Sequence, residues 1–193
     1  MMFDKKNAMT YIELIMVIAI IGTVSAVSIP ALKRHSQKTE FAALAKKAYT
    51  DLEDAMDNAV LTEGPMRNWD FSKNSTFCSK YLAPNMNVMK NNCSAESPSI
   101  TTRSMMTMTV AECDGSFCHV HVDVNGSKRP NLVGKDLFEF QVSRVDKGGI
   151  YTAESVQPAT HGGADLLRKN GWKYTDKLWR CEWTSGNTNN CGL

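Results

Sequence analysis

Apolar and small residues run almost unbroken from Ile12 to Ile29, with Glu13 as the charged exception. At about 1.5 Å per residue, a helix over this run spans close to the ~30 Å hydrocarbon core of a bilayer. Pro30 follows, and its missing N–H predicts a kink or a local opening. Beyond it, Phe41, Ala45, Ala48, Leu52, Ala55 and Ala59 recur at alternating steps of four and three. That spacing predicts a helix with one apolar stripe, and Lys38, Glu40, Lys46, Lys47, Asp51, Glu53 and Asp54 fall largely off it. The helix is expected to reach about Leu61 and to stop at Glu63-Gly64-Pro65.

The pattern then changes period. Asn68 to Asn92 reads as irregular, with no strand or helix period. Arg103 to Glu112 alternates through Met106, Met108 and Val110, which predicts a strand. His119 to Val124 alternates strictly, and the Asp114-Gly115 pair between the two runs predicts a hairpin turn. Leu137 to Val142 predicts a third strand, and Ile150 to Val156 a fourth. Together these predict an α+β fold: a long N-terminal helix, one half for the membrane and one half amphipathic, packed on a small antiparallel sheet.

Composition narrows the setting. The chain has 193 residues and a net charge of +2, so its overall charge points neither to nucleic acid nor to an acidic partner. Its six cysteines, Cys78, Cys93, Cys113, Cys118, Cys181 and Cys191, all follow the apolar run. An even count fits a disulfide framework in an oxidising compartment, and the spacing suggests neighbours as partners without fixing the pairing. A zinc site is the alternative. No CxxC occurs, and Cys113 to Cys118 is wider than the usual ligand pair.

Glu13 is the residue that changes the reading of the apolar run. A secretory signal peptide cleaved near Ser25-Ala26-Val27, or a plain membrane anchor, would account for the hydrophobicity alone. Neither needs a carboxylate, which costs several kcal/mol inside a bilayer. Such a residue asks for a positive partner at the same depth. An α-amino group created by cleavage a few residues upstream would serve.

Ala8-Met9-Thr10-Tyr11-Ile12-Glu13-Leu14 resembles the prepilin peptidase motif of type IV pilins and type II secretion pseudopilins. The resemblance covers Lys5 to Pro30. It implies a basic leader with Lys5 and Lys6, cleavage between Ala8 and Met9, and N-methylation of Met9. It also implies that Glu13, the fifth residue of the mature chain, serves filament assembly. Ala8 stands where the family more often has Gly. Gly22 and Pro30 fall where many members carry helix-loosening residues. The implied organisation is a leader over 1–8, a transmembrane or filament-core half-helix over 9–30, an amphipathic half over 31–63 and a cystine-stabilised domain over 64–193. The implied partners are prepilin peptidase, an assembly platform protein, the inner membrane and other pilin copies. Lys33, Arg34 and Lys38 beyond the run nearly cancel the orientation signal of Lys5 and Lys6. The cysteines place the C-terminal part outside the cytoplasm.

Asp123 to Phe140 resembles a second segment of pilin-like domains, of the form DxNGxxxPNxxGxDxFxF. Its oxygen-rich residues raise calcium as a ligand. Asp123, Asn125 and Ser127 match the opening of an EF-hand loop, but Lys128 stands where Gly is needed and Gly134 where the bidentate Glu belongs. A non-EF calcium site built from Asp123, Asn125 and Asp136 stays open beside the favoured reading, in which these side chains form turns. His119, His121 and Asp123 share one strand face. A metal trio is the sharp reading and a solvated face the favoured one.

No GxSxG, HExxH or P-loop pattern appears, and cystines make poor nucleophiles, so no enzyme is expected. In the tail, Trp172, Tyr174, Trp179 and Trp183 with Lys173, Lys177 and Arg180 would suit single-stranded DNA or a glycan. Completion of a small core is favoured over that. The expected function is a structural subunit of a type IV pilus or type II secretion pseudopilus. The alternative is a minor tip subunit that binds DNA, a surface or a secreted substrate.

Overall fold

The structure is a computed structural model that describes residues 10–143, 156–158 and 163–180. It divides into two compact units, Met1–Gln37 and Lys38–Leu193. Helix α1, Tyr11–Glu63, contributes to both, and Pro30 lies inside it. The helix continues through Pro30. A helix can lose one N–H at a proline and keep the bonds on either side.

In the first unit, no residue of α1 is buried. In the second, α1 buries Phe41, Ala42, Ala45, Ala48, Tyr49, Leu52, Ala55, Met56 and Ala59. Every residue of the predicted stripe is among them. The alanines give this face a low profile, so the helix and the side chains across from it approach closely. Gly64 ends the helix with φ 81° and donates its N–H to the Val60 carbonyl at 3.0 Å. That left-handed geometry is the usual reason a glycine follows a helix.

The sheet has six antiparallel strands in sequence order. They are β1 (Val88–Asn92), β2 (Ser99–Thr102), β3 (Thr107–Ala111), β4 (Phe117–Asp123), β5 (Leu137–Ser143) and β6 (Val156–Pro158). β3, β4 and β5 are the three expected strands. β1 and β2 were not expected. β6 begins where the fourth expected strand ends, and the rest of that run lies outside the described residues. Val110, Val120, Val122, Phe138, Phe140 and Val142 are buried, and the residues between them face the other way. Phe140 meets Tyr49 of α1 with ring centroids 6.1 Å apart. This fixes which face of the sheet is inner.

The segment between α1 and β1 is not irregular. It holds a 3-10 turn (Met66–Asn68), the short helix α2 (Asn74–Thr76), a π-helical stretch (Phe77–Leu82) and a second 3-10 turn (Ala83–Asn85). Trp69 stacks on Tyr81 at 4.3 Å between centroids, and Phe71 and Phe77 complete a buried aromatic cluster. The Tyr81 hydroxyl accepts from the Asp70 N–H at 3.0 Å. Cys78 pairs with Cys93, with Cα atoms 5.4 Å apart, and fastens this segment to the end of β1. Cys113 pairs with Cys118 across the β3–β4 turn. Cys181 and Cys191 lie outside the described residues.

Helices α3 (Ala164–Lys169) and α4 (Asp176–Arg180) bring the tail aromatics to α1. Trp172 packs on Tyr49 at 5.6 Å, and Trp179 stacks on Phe41 at 6.1 Å. The Lys38 and Lys135 ammonium groups lie over the Trp179 ring at 6.0 and 5.3 Å. Lys38 also pairs with Asp176. Both tryptophans are partly buried and pack against the core. Trp183 lies outside the described residues.

Candidate functional site

The start of α1 is built around Glu13. Thr10 precedes the helix, and its N–H and its hydroxyl both donate to Glu13 Oε2, at 2.8 and 2.6 Å. This is half of a capping box, in which the third helical residue reaches back to the N-cap N–H. The carboxylate also faces the positive end of the helix dipole. A lone charge at the edge of an apolar run is thereby given two donors from its own chain. Ala8 and Met9, the expected cleavage pair, lie outside the described residues.

From Tyr11 to Leu32 the large apolar side chains are exposed, Ile12 at 66%, Ile18 at 60% and Val27 at 76%. A Cβ added at Gly22 would meet nothing within 4 Å among the described residues. By length and composition, α1 contains a stretch able to cross a membrane. An apolar surface of this extent is larger than a soluble monomer usually exposes.

The Asp123–Asp136 loop is organised by a buried carboxylate. Asp136 is fully buried. Its Oδ2 accepts from the Asn131 N–H at 2.7 Å and from Asn125 Nδ2 at 3.1 Å, and its Oδ1 accepts from the Leu132 N–H at 2.6 Å. Asp123 Oδ1 accepts from the Asn125 N–H at 3.2 Å. These are the bonds of turn-forming Asx side chains. Asn125 Oδ1 is the one buried side-chain oxygen without a partner among the described residues. Partial burial, with Asp136 nearby, raises the Asp123 carboxyl above the usual range. Tyr174 closes the loop from the tail, donating its hydroxyl to the Gly134 carbonyl at 2.8 Å. Burial pushes that phenol upward, so it stays a donor. The three calcium candidates are thus neighbours, but the Asp136 oxygens are used by the loop backbone.

On the outer sheet face, His119 Nδ1 bonds Glu139 Oε1, and His121 Nε2 lies 4.0 Å from Glu139 Oε2. His119 is largely covered and His121 is exposed. Among the described residues, no group of three or more His, Cys, Asp or Glu is arranged to hold a metal ion. The sequence placed His119, His121 and Asp123 together. It gave no sign of Glu139, which the β4–β5 register puts opposite His121.

Comparison with protein-family models, with curated proteins and with solved structures finds no match to this chain.

Proposed function

We propose that this chain is a type IV pilin-like subunit, structural in a type IV pilus or a type II secretion pseudopilus. On this reading it is cut between Ala8 and Met9 and polymerises through the N-terminal half of α1. The observation that carries the reading is the contrast within α1. One helix has an exposed apolar surface from Tyr11 to Leu32, followed by a stripe buried in a folded domain. A subunit that leaves a bilayer for a filament core needs such a surface in both places.

Glu13 supplies the assembly chemistry. Its Oε2 accepts from Thr10, and on this reading the carboxylate pairs with the amine of a neighbouring Met9. A paired charge in a low-dielectric setting is tolerated where a lone one is not. The inner membrane, prepilin peptidase and an assembly platform are the partners this reading requires. The reading involves no enzymatic step.

N-terminal mass spectrometry of the protein from its own cell tests the proposal. A mature chain starting at methylated Met9 is expected. A start after Ala26 would mean an ordinary signal peptide and would sink it.

A further inference from the structure

The outer face of the sheet holds a cavity of about 430 Å³ over β3, β4 and β5. It lies opposite the face that packs on α1. Its polar lining is Thr107, Thr109, His121, Asp123 and Glu139, and Val133 and Leu137 form an apolar wall. The wall exists because the loop folds back on the strand: Val133 bridges to Leu137, and the Gly134 N–H donates to the Leu137 carbonyl at 2.8 Å. Val133 remains 43% exposed, a branched apolar side chain held at the rim.

With His119 and His121 neutral, the charges in this cavity are of one sign. Asp123 and Glu139 are both carboxylates, and neither has a lysine or arginine within ion-pair distance among the described residues. His119 fixes one Glu139 oxygen and leaves the other directed toward His121. Asp123 is half-buried and lies in the field of Asp136, so its negative charge lacks full hydration. A concave site with an apolar wall and a few convergent polar groups is the usual form of a ligand site. The ligand that fits is a cation on an aliphatic stem. The stem would lie along Val133 and Leu137, as lysine and arginine stems lie on apolar surface. The head would reach Asp123 and Glu139, with Thr107 and Thr109 as further acceptors.

We infer that this cavity is a docking site for a lysine or arginine side chain presented by a polypeptide partner. Charge complementarity selects the cation, and the wall selects the stem. The inference does not depend on the filament reading, because the cavity belongs to the globular unit alone.

The test is a titration of the full chain, held unassembled in detergent micelles, followed by backbone amide shifts. The probes are the Nα-acetyl amides of arginine, lysine, norleucine and glutamate. Arginine and lysine amides should give saturable shifts at Thr109, His121 and Glu139. Asp123→Asn with Glu139→Gln should weaken the binding about tenfold. The norleucine amide carries the stem without the charge and should bind at least as weakly to the wild-type chain, which keeps the test informative even where the double variant folds poorly. Equal shifts from the glutamate amide, or none from the cationic probes, would overturn the inference. So would self-association of the wild-type chain through this face, since the occupant would then be a second copy.

Discussion

The two parts of α1 both carry apolar side chains but have opposite fates. Ile12, Ile18 and Val27 stand in the open, and Leu52, Met56 and Ala59 are fully buried. Composition cannot explain this difference, since the first part is the more apolar. What differs is the partner. From Phe41 onward the chain supplies its own cover, from the sheet, the aromatic cluster and the tail. Before Gln37 no described residue of α1 is buried. The same physics that completes a core in one unit leaves an exposed apolar surface in the other.

The most severe way to break the comparison is Glu13→Leu. It should leave membrane insertion intact and block filament incorporation. Leaving a buried amine unpaired costs roughly 3–5 kcal/mol, a loss of two orders of magnitude or more in incorporation. Pulse-labelled membrane fractions beside sheared filaments would show it, and normal incorporation would refute the pairing of Glu13 with the neighbouring amine.

A matched pair of truncations sharpens the contrast. Leu52→Ala opens a cavity in a closed core and should cost about 2–5 kcal/mol in denaturant melts of the globular unit. Ile18→Ala should leave the same melt unchanged and act only on assembly. A similar loss from both would mean that the two parts are not separate.

The Cys78–Cys93 bond closes a fifteen-residue separation and fastens the aromatic segment to β1. Replacing both by Ser should cost about 3 kcal/mol. The shorter Cys113–Cys118 loop should cost less, because its loss frees fewer unfolded conformations. Thermal melts of the two double variants decide the order.

The smallest effect is a gain. The Asp123 carboxyl is raised in the folded chain, so the folded state holds its proton more readily than the unfolded state. Its ionisation therefore disfavours folding at neutral pH, and that cost shrinks as pH falls through the raised value and is gone below the ordinary one. Asp123→Asn should raise the melting temperature slightly at pH 7 and not at pH 3. The same residue is asked to bind a cation, so a stability gain with loss of binding would mark it as functional. A lower melting temperature at pH 7 would instead mean that its bond to the Asn125 N–H dominates.

Legibility followed the regularity of each environment. β3, β4 and β5 pack one face only, so their side chains alternate visibly. β1 is an edge strand exposed along most of its length and carries no alternation. The cluster of Trp69, Phe71, Phe77 and Tyr81 hides among polar residues, because its rings come from a loop and from a π-helical stretch with no common period. Asp136 reads in sequence as one more loop acid, and only its three donors show that it holds the loop together.

The sequence by itself determined the helix, its stripe and its stop at Gly64, the central hairpin, and the misfit of Glu13 in an apolar run. Those are local properties, set by period, turn chemistry and the cost of a charge in hydrocarbon. The tertiary structure decided which cysteines pair among those described, that Trp172 and Trp179 serve the core, and that Glu139 joins His121 and Asp123 around one cavity. Those depend on strand register and on contacts between residues far apart in the chain, which no local pattern records.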